Sequence, residues 1–200
     1  MEIGKRSVLM MAGPTVVAFL LGAILTSGPL LNTTNQFSEG LKPTGYVTVS
    51  LVRDGNEIYH YEDHNAITEA GVDYIVEWIS DTPDDTTQRA VFIGLTSTDI
   101  TPDDDDTSLT GEITTGGLGR ATGTFGGYTY AATDNDDNYT VTATFTASAS
   151  HTAVQGAGLF TDATVGSDTM VAINEFSSVN LASGDQLTIT WTIDLGLTLT

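Results

Sequence analysis

Two stretches of strict period-two alternation constrain this chain more than anything else in it. Tyr139-Thr140-Val141-Thr142-Ala143-Thr144-Phe145-Thr146 sets apolar residues against threonine at nearly every step. Leu187-Thr188-Ile189-Thr190-Trp191-Thr192-Ile193 does so again. Successive side chains of a strand point to opposite faces, so each stretch has one apolar face and one hydroxyl face. That arrangement belongs to antiparallel strands covered on one side.

The remaining strands follow from weaker versions of the signal. Tyr46 to Val52 alternates, Asp54-Gly55-Asn56 is a hairpin turn, and Glu57 to Tyr61 returns as its partner. Further strands are expected at Ala90 to Leu95, Arg120 to Phe125, Tyr139 to Ala149, Gly156 to Phe160, Met170 to Phe176 and Gln186 to Leu195. The period changes once. Between Asn65 and Ser80, Ile67, Val72, Ile75, Val76 and Ile79 fall on one helical stripe, which predicts a single helix with Ile75, Val76 and Ile79 in the core. Asn65 or Thr68 is its expected cap. Trp191 is expected inside. The fold class is mainly β, an antiparallel β-sandwich of jelly-roll-like type with one α-helix, occupying residues 45–200 behind an N-terminal hydrophobic segment.

That segment is a different kind of sequence. Lys5-Arg6 precede an apolar run from Val8 to Leu25. A basic start and an apolar stretch of this length describe a secretory signal peptide. They also describe a membrane anchor, since roughly 17–25 apolar residues span a bilayer. Residues 1–31 are therefore read as a signal peptide or as a retained hydrophobic helix. A type IV pilin leader is a third reading, from which Lys5-Arg6-Ser7 departs. Residues 32–44 form a polar linker with Pro43 and several turn formers. The expected location is secreted or cell-surface, with the membrane a partner at least during export.

Charge narrows the partners. The net charge is −20, and after the leader only Lys42, Arg53, Arg89 and Arg120 are basic. Phosphate binding needs a basic surface, so nucleic acid is excluded as a partner. A lysine-poor acidic surface keeps a protein soluble in high salt. There is no cysteine. An exported domain without disulfides must be held by its core, by ions or by neighbouring copies.

The order of signals resembles a known family. His64-Asn65-Ala66-Ile67-Thr68-Glu69-Ala70-Gly71 leads into the helix, followed by Phe92-Ile93-Gly94-Leu95-Thr96-Ser97, Thr101-Pro102 and Asp106-Thr107-Ser108-Leu109 before Glu112-Ile113. Arg120 opens a strand. Gly156-Ala157-Gly158-Leu159-Phe160 and the run from Leu181 to Trp191 complete the series. Over roughly residues 45–195 this resembles phage and prophage tail-associated structural β-domains, and exported, pilus-like archaeal surface proteins using a similar module. The resemblance implies a structural role without catalytic residues. The leader departs from a virion component and favours the cell surface.

Few residues invite site chemistry. Asp103, Asp104, Asp105 and Asp106 would suit calcium, which takes carboxylate oxygens; a solvated acidic loop is the other reading. Asp134, Asp136 and Asn138 echo half a calcium loop, but Tyr139 and Phe145 stand where its glycine and closing glutamate belong. His60 and His64 are four apart, a zinc spacing only on a helix. Gly117, Gly119 and Gly123 miss the dinucleotide fingerprint and mark turns. Asn32 and Asn138 begin glycosylation sequons. There is no G-x-S-x-G elbow, and His151 has no nucleophile nearby in sequence, so no enzyme and no cofactor are expected. The expected function is an exported subunit that assembles with copies of itself into a pilus-like filament, joined by strand donation from residues 32–44 and the strand after them. A membrane-anchored adhesin and a virion structural protein are the alternatives.

Overall fold

A computed structural model of the chain describes residues 43–80, 89–129, 138–166 and 168–194. The expectations for residues 1–31, for Asn32, Asp134 and Asp136, and for the side chain of Ile79 lie outside what is described. Ten strands and one helix are present among the described residues: β1 (Thr44–Arg53), β2 (Asn56–His64), β3 (Ala66–Ile67), α1 (Glu69–Ser80), β4 (Phe92–Thr96), β5 (Ala121–Thr122), β6 (Thr124–Thr129), β7 (Asn138–Thr146), β8 (His151–Phe160), β9 (Met170–Leu181) and β10 (Gln186–Asp194).

The strands form two antiparallel five-stranded sheets, ordered β2-β1-β10-β7-β6 (sheet A) and β3-β9-β8-β4-β5 (sheet B). The β-sandwich class is as expected. Each sheet has five strands among the described residues, with the β1–β2 hairpin at one end of sheet A and the two-residue β5 at one end of sheet B. The Asp54-Gly55 turn has positive φ at both residues (51° and 78°), the geometry of a tight hairpin whose twist matches its strands.

Alternation builds the core. Val47, Val49 and Leu51 of β1, Val141, Ala143 and Phe145 of β7, and Leu187, Ile189, Trp191 and Ile193 of β10 all turn inward from sheet A. Ile93, Leu95, Val154, Leu159 and Val179 meet them from sheet B. Trp191 is fully buried, as its strand predicted. A second cluster of Ile100, Leu109, Phe160, Met170 and Ile173 lies under the loop that follows β4.

The helix differs from its expected form at its start and in the face it buries. It begins at Glu69, and Ile67 belongs instead to β3, paired with Ala172 of β9. Thr68 is the cap: its Oγ1 accepts a hydrogen bond from Gly71 N at 2.9 Å and donates to Met170 O. Gly71 is required by closeness, because a Cβ there would collide with the Val171 carbonyl. Ile75 is buried, but Val76 is 50% exposed. The helix packs against β9 and buries a narrow stripe, so Val76 faces out rather than into the core.

Candidate functional site

Among the described residues, Arg53 and Arg120 are tied into the structure by ion pairs. Arg120 is the most enclosed, with its side chain and those of Glu112 and Asp168 each exposed by only 4–6%. It donates to both oxygens of Glu112 at 2.8 and 2.6 Å, to Asp162 O at 2.9 Å and to Asp168. Its guanidinium stacks on Phe160, 3.7 Å from the ring centroid. Burial pulls its pKa down, and the hydrogen bonds and charges of Glu112 and Asp168 outweigh that, so the net shift is upward. The cluster staples the loop after β4 to the loop between β8 and β9.

Arg53 repeats the pattern elsewhere in the sandwich. It donates to both oxygens of the buried Asp185, which also accepts from Ala182 N and so shapes the β9–β10 turn. Hydrogen bonding from Arg53 holds the Asp185 carboxyl below the usual range. Arg89 sits over the Phe125 ring at 5.3 Å.

Two carboxylates of the four-aspartate loop bond the loop's own backbone, while Asp103, Asp104 and Asp105 remain exposed. Asp103 Oδ1 accepts from Asp104 N, Asp106 Oδ2 accepts from Asp103 N, and Asp104 O accepts from Glu69 N at 2.7 Å, satisfying a first-turn donor of α1. Asp104 is raised above the usual carboxylate range, chiefly by its hydrogen bond with Asp103. Among the described residues no group of three or more His, Asp or Glu converges to hold a metal ion. A cleft of about 210 Å³ lies beside the loop, lined by Asp99, Ile100, Asp106, Ser108, Thr110 and Ile173. It is smaller than the roughly 300–1,000 Å³ of organic-ligand sites.

The other sequence candidates are scattered. His60 and His64 lie on the outer face of β2, opposite Ser50 and Tyr46. Four residues of strand separate them by about 13 Å, too far to share one ion. His60 Nδ1 is 3.1 Å from Glu57, and His64 stacks on Tyr46 at 4.2 Å. Gly117, at φ 80°, is in a turn, as expected. His151 Nε2 lies 3.2 Å from Gly116 O. Asn138 is half-buried at the first position of β7, in register with Asp194 and Thr129.

Two surfaces that the sequence named only in outline, the sheet edges and the hydroxyl face, take definite form in the structure. The first is the sheet edges. Sheet B ends in the two-residue β3 and β5, and beyond β3 the hydroxyls of Tyr59 and Tyr61 of β2 donate to the carbonyls of Ser177 and Glu175 of β9. Glu112 forms an isolated bridge to Thr96 at the end of β4. On sheet A, β2 and β6 are each paired on one side only among the described residues.

The second surface is the outer face of sheet A. One row across it runs Thr48, Thr190, Thr142 and Thr124 on four adjacent strands. Thr188 and Thr144 face each other in the next row, and Thr192 and Thr140 in the row on the other side. Hydroxyls pair across strands, Thr142 with Thr190 at 3.0 Å and Thr144 with Thr188 at 2.9 Å. On the three central strands a charged residue appears on this face only at Asp194, the last position of β10. The signal was present in the alternation; what it lacked was the register that sets the rows side by side.

Among the described residues no helix is long and apolar enough to cross a membrane. Comparison with protein-family models, curated proteins and solved structures finds no match to this chain.

Proposed function

We propose that this chain is an exported structural subunit that polymerises into an extracellular surface filament through its sheet edges. The observation that carries the reading is the contrast between the sheet ends: sheet A ends in the nine-residue β2 and the six-residue β6, each paired on one side only among the described residues, whereas sheet B ends in the two-residue β3 and β5. An unpaired edge is a template for a strand from another copy. β1 is not that strand. It is paired on both sides within its own sheet, and Val47 and Val49 are fully buried in its own core. The donor is therefore assigned to residues 32–42, before β1, and the hydrophobic leader directs export.

Negative-stain microscopy of native material tests the polymer, and N-terminal mass spectrometry tests the leader. Regular filaments that become monomers when residues 32–42 are deleted support the reading. Monodisperse native protein at all salt concentrations overturns it and leaves a singly displayed module. Native protein in the cytosol with Met1 intact overturns export.

A further inference from the structure

We infer that the threonine face of sheet A is the surface on which a second copy of this chain packs. The inference rests on the polymer reading for its partner, but on a separate part of the molecule from the strand edges.

Charge comes first. A chain carrying −20 repels its own copies, and two of them approach most easily where their charges are absent. Among the described residues the acidic side chains lie chiefly in loops and on the edge strand β2, with Asp54, Glu62, Asp103 and Asp162 as examples. The central strands of sheet A present uncharged side chains outward until Asp194. Desolvation comes second. The hydroxyls of Thr142 and Thr190, and of Thr144 and Thr188, already bond each other across the strands. A hydroxyl with a partner loses less on leaving water than one without. The paired hydroxyls leave methyl groups for contact.

Area decides what kind of contact this is. Three strands about 4.8 Å apart, about nine residues long at about 3.4 Å each, make a face of about 450 Å². A stable isolated pair buries about 800 Å² on each side. The face alone is too small to hold two free copies, and it suits a contact repeated along a polymer whose other links keep the copies together. The contact is uncharged while the surrounding charge is repulsive, so it tightens as salt rises and the Debye length falls from about 10 Å at 0.1 M to about 3 Å at 1 M.

The absence of cysteine makes a clean test. Thr190→Cys and Thr142→Cys, in the full chain in its assembled form, are treated with a short bis-maleimide, with Ser150→Cys, at an exposed position of the β7–β8 loop, as the control. The expected result is covalent dimer from the face variants at least about ten times that of the control, a margin equal to about 1.4 kcal/mol of contact preference, rising with salt. Thr190→Glu and Thr190→Lys should each weaken assembly, and mixing them should restore it, because opposite charges then meet across the contact. Restoration distinguishes a contact from a folding defect. Cross-linking no greater than the control, or no restoration on mixing, overturns the inference. Glycan found by mass spectrometry on Thr142 or Thr190 also overturns it. Filaments with no face cross-linking leave the polymer reading standing, and face-linked dimers trapped from material without filaments leave this contact standing only as a transient one.

Discussion

Arg120 is the residue on which most depends. Its guanidinium is the only cation facing the buried carboxylates of Glu112 and Asp168 among the described residues. Removing it strands both charges in a dry site, and breaking such a set costs about 3–5 kcal/mol. Arg120→Met should therefore lower the unfolding free energy by about that much in urea titration, and adding Glu112→Gln with Asp168→Asn should recover part of it. Asp185 gives a pH signature. Its folded pKa lies below the ordinary 3.8, first because Arg53 hydrogen-bonds it, so its stabilisation is whole above the unfolded value and is lost as pH falls through the folded one. Glu175 has the opposite sign. Its pKa is raised, first by a hydrogen bond with Asp99, so its contribution is present in acid and disappears as pH rises through the folded value. Melting temperature against pH should show a steep fall at the acid end that Asp185→Asn flattens. In Glu175→Gln the weakening on the way up from acid should be smaller, with the part due to the raised Asp104 remaining.

At the scale of elements, the helix is the sharpest test. Its period was plain in the sequence, but a period names a face and not how wide a stripe the neighbour covers. β9 and its surroundings cover Ile75, which is 6% exposed, and leave Val76 at 50%. Val76→Asp should change stability by no more than about 0.5 kcal/mol, as an exposed substitution does. Ile75→Asp should cost several kcal/mol, since a buried unpaired charge is intolerable unless it is neutralised. Thermal melts of the two variants decide it; an equal loss in both would refute the placement. The same lesson applies to strand ends. β8 and β9 run longer than their apolar cores at Gly156 to Phe160 and Met170 to Phe176, because register shifts between His151, Val154 and Gly156 let irregular, polar residues keep pairing. Asn180 Oδ1 accepts from Ala153 N, where φ is 52°, and stabilises that irregularity. Alternation cannot signal a strand whose register slips.

For the whole molecule the dominant quantity is charge. Two of the body's arginines are committed to ion pairs with Asp185, Glu112 and Asp168, so the outer surface is left strongly acidic. Self-repulsion of that kind opposes the compact state, and salt screens it. The melting temperature should rise by several degrees between about 0.05 and 1 M sodium chloride, and sodium and potassium should act alike. Millimolar calcium at constant ionic strength tests the Asp103–Asp106 loop separately. With the Asp103 and Asp106 carboxylates bonded to the loop's own backbone, the melting curve is expected to stay in place; a calcium-specific rise reversed by chelator would restore the ion site.

The sequence alone determined the β-sandwich class, the one helix of the described residues, the hairpin at Asp54-Gly55 and the burial of Trp191, because each depends on local period or on turn chemistry. It also determined the acidic surface and the absence of disulfides. Tertiary structure decided the rest. It placed β1 in the middle of its own sheet, put Ile67 in a strand and Val76 outside, and brought Arg120 to Asp168 across 48 positions of chain. It set four threonines from four strands into one row. These are non-local facts. Alternation along a strand says which face a residue takes, and only pairing between strands says which residues become its neighbours.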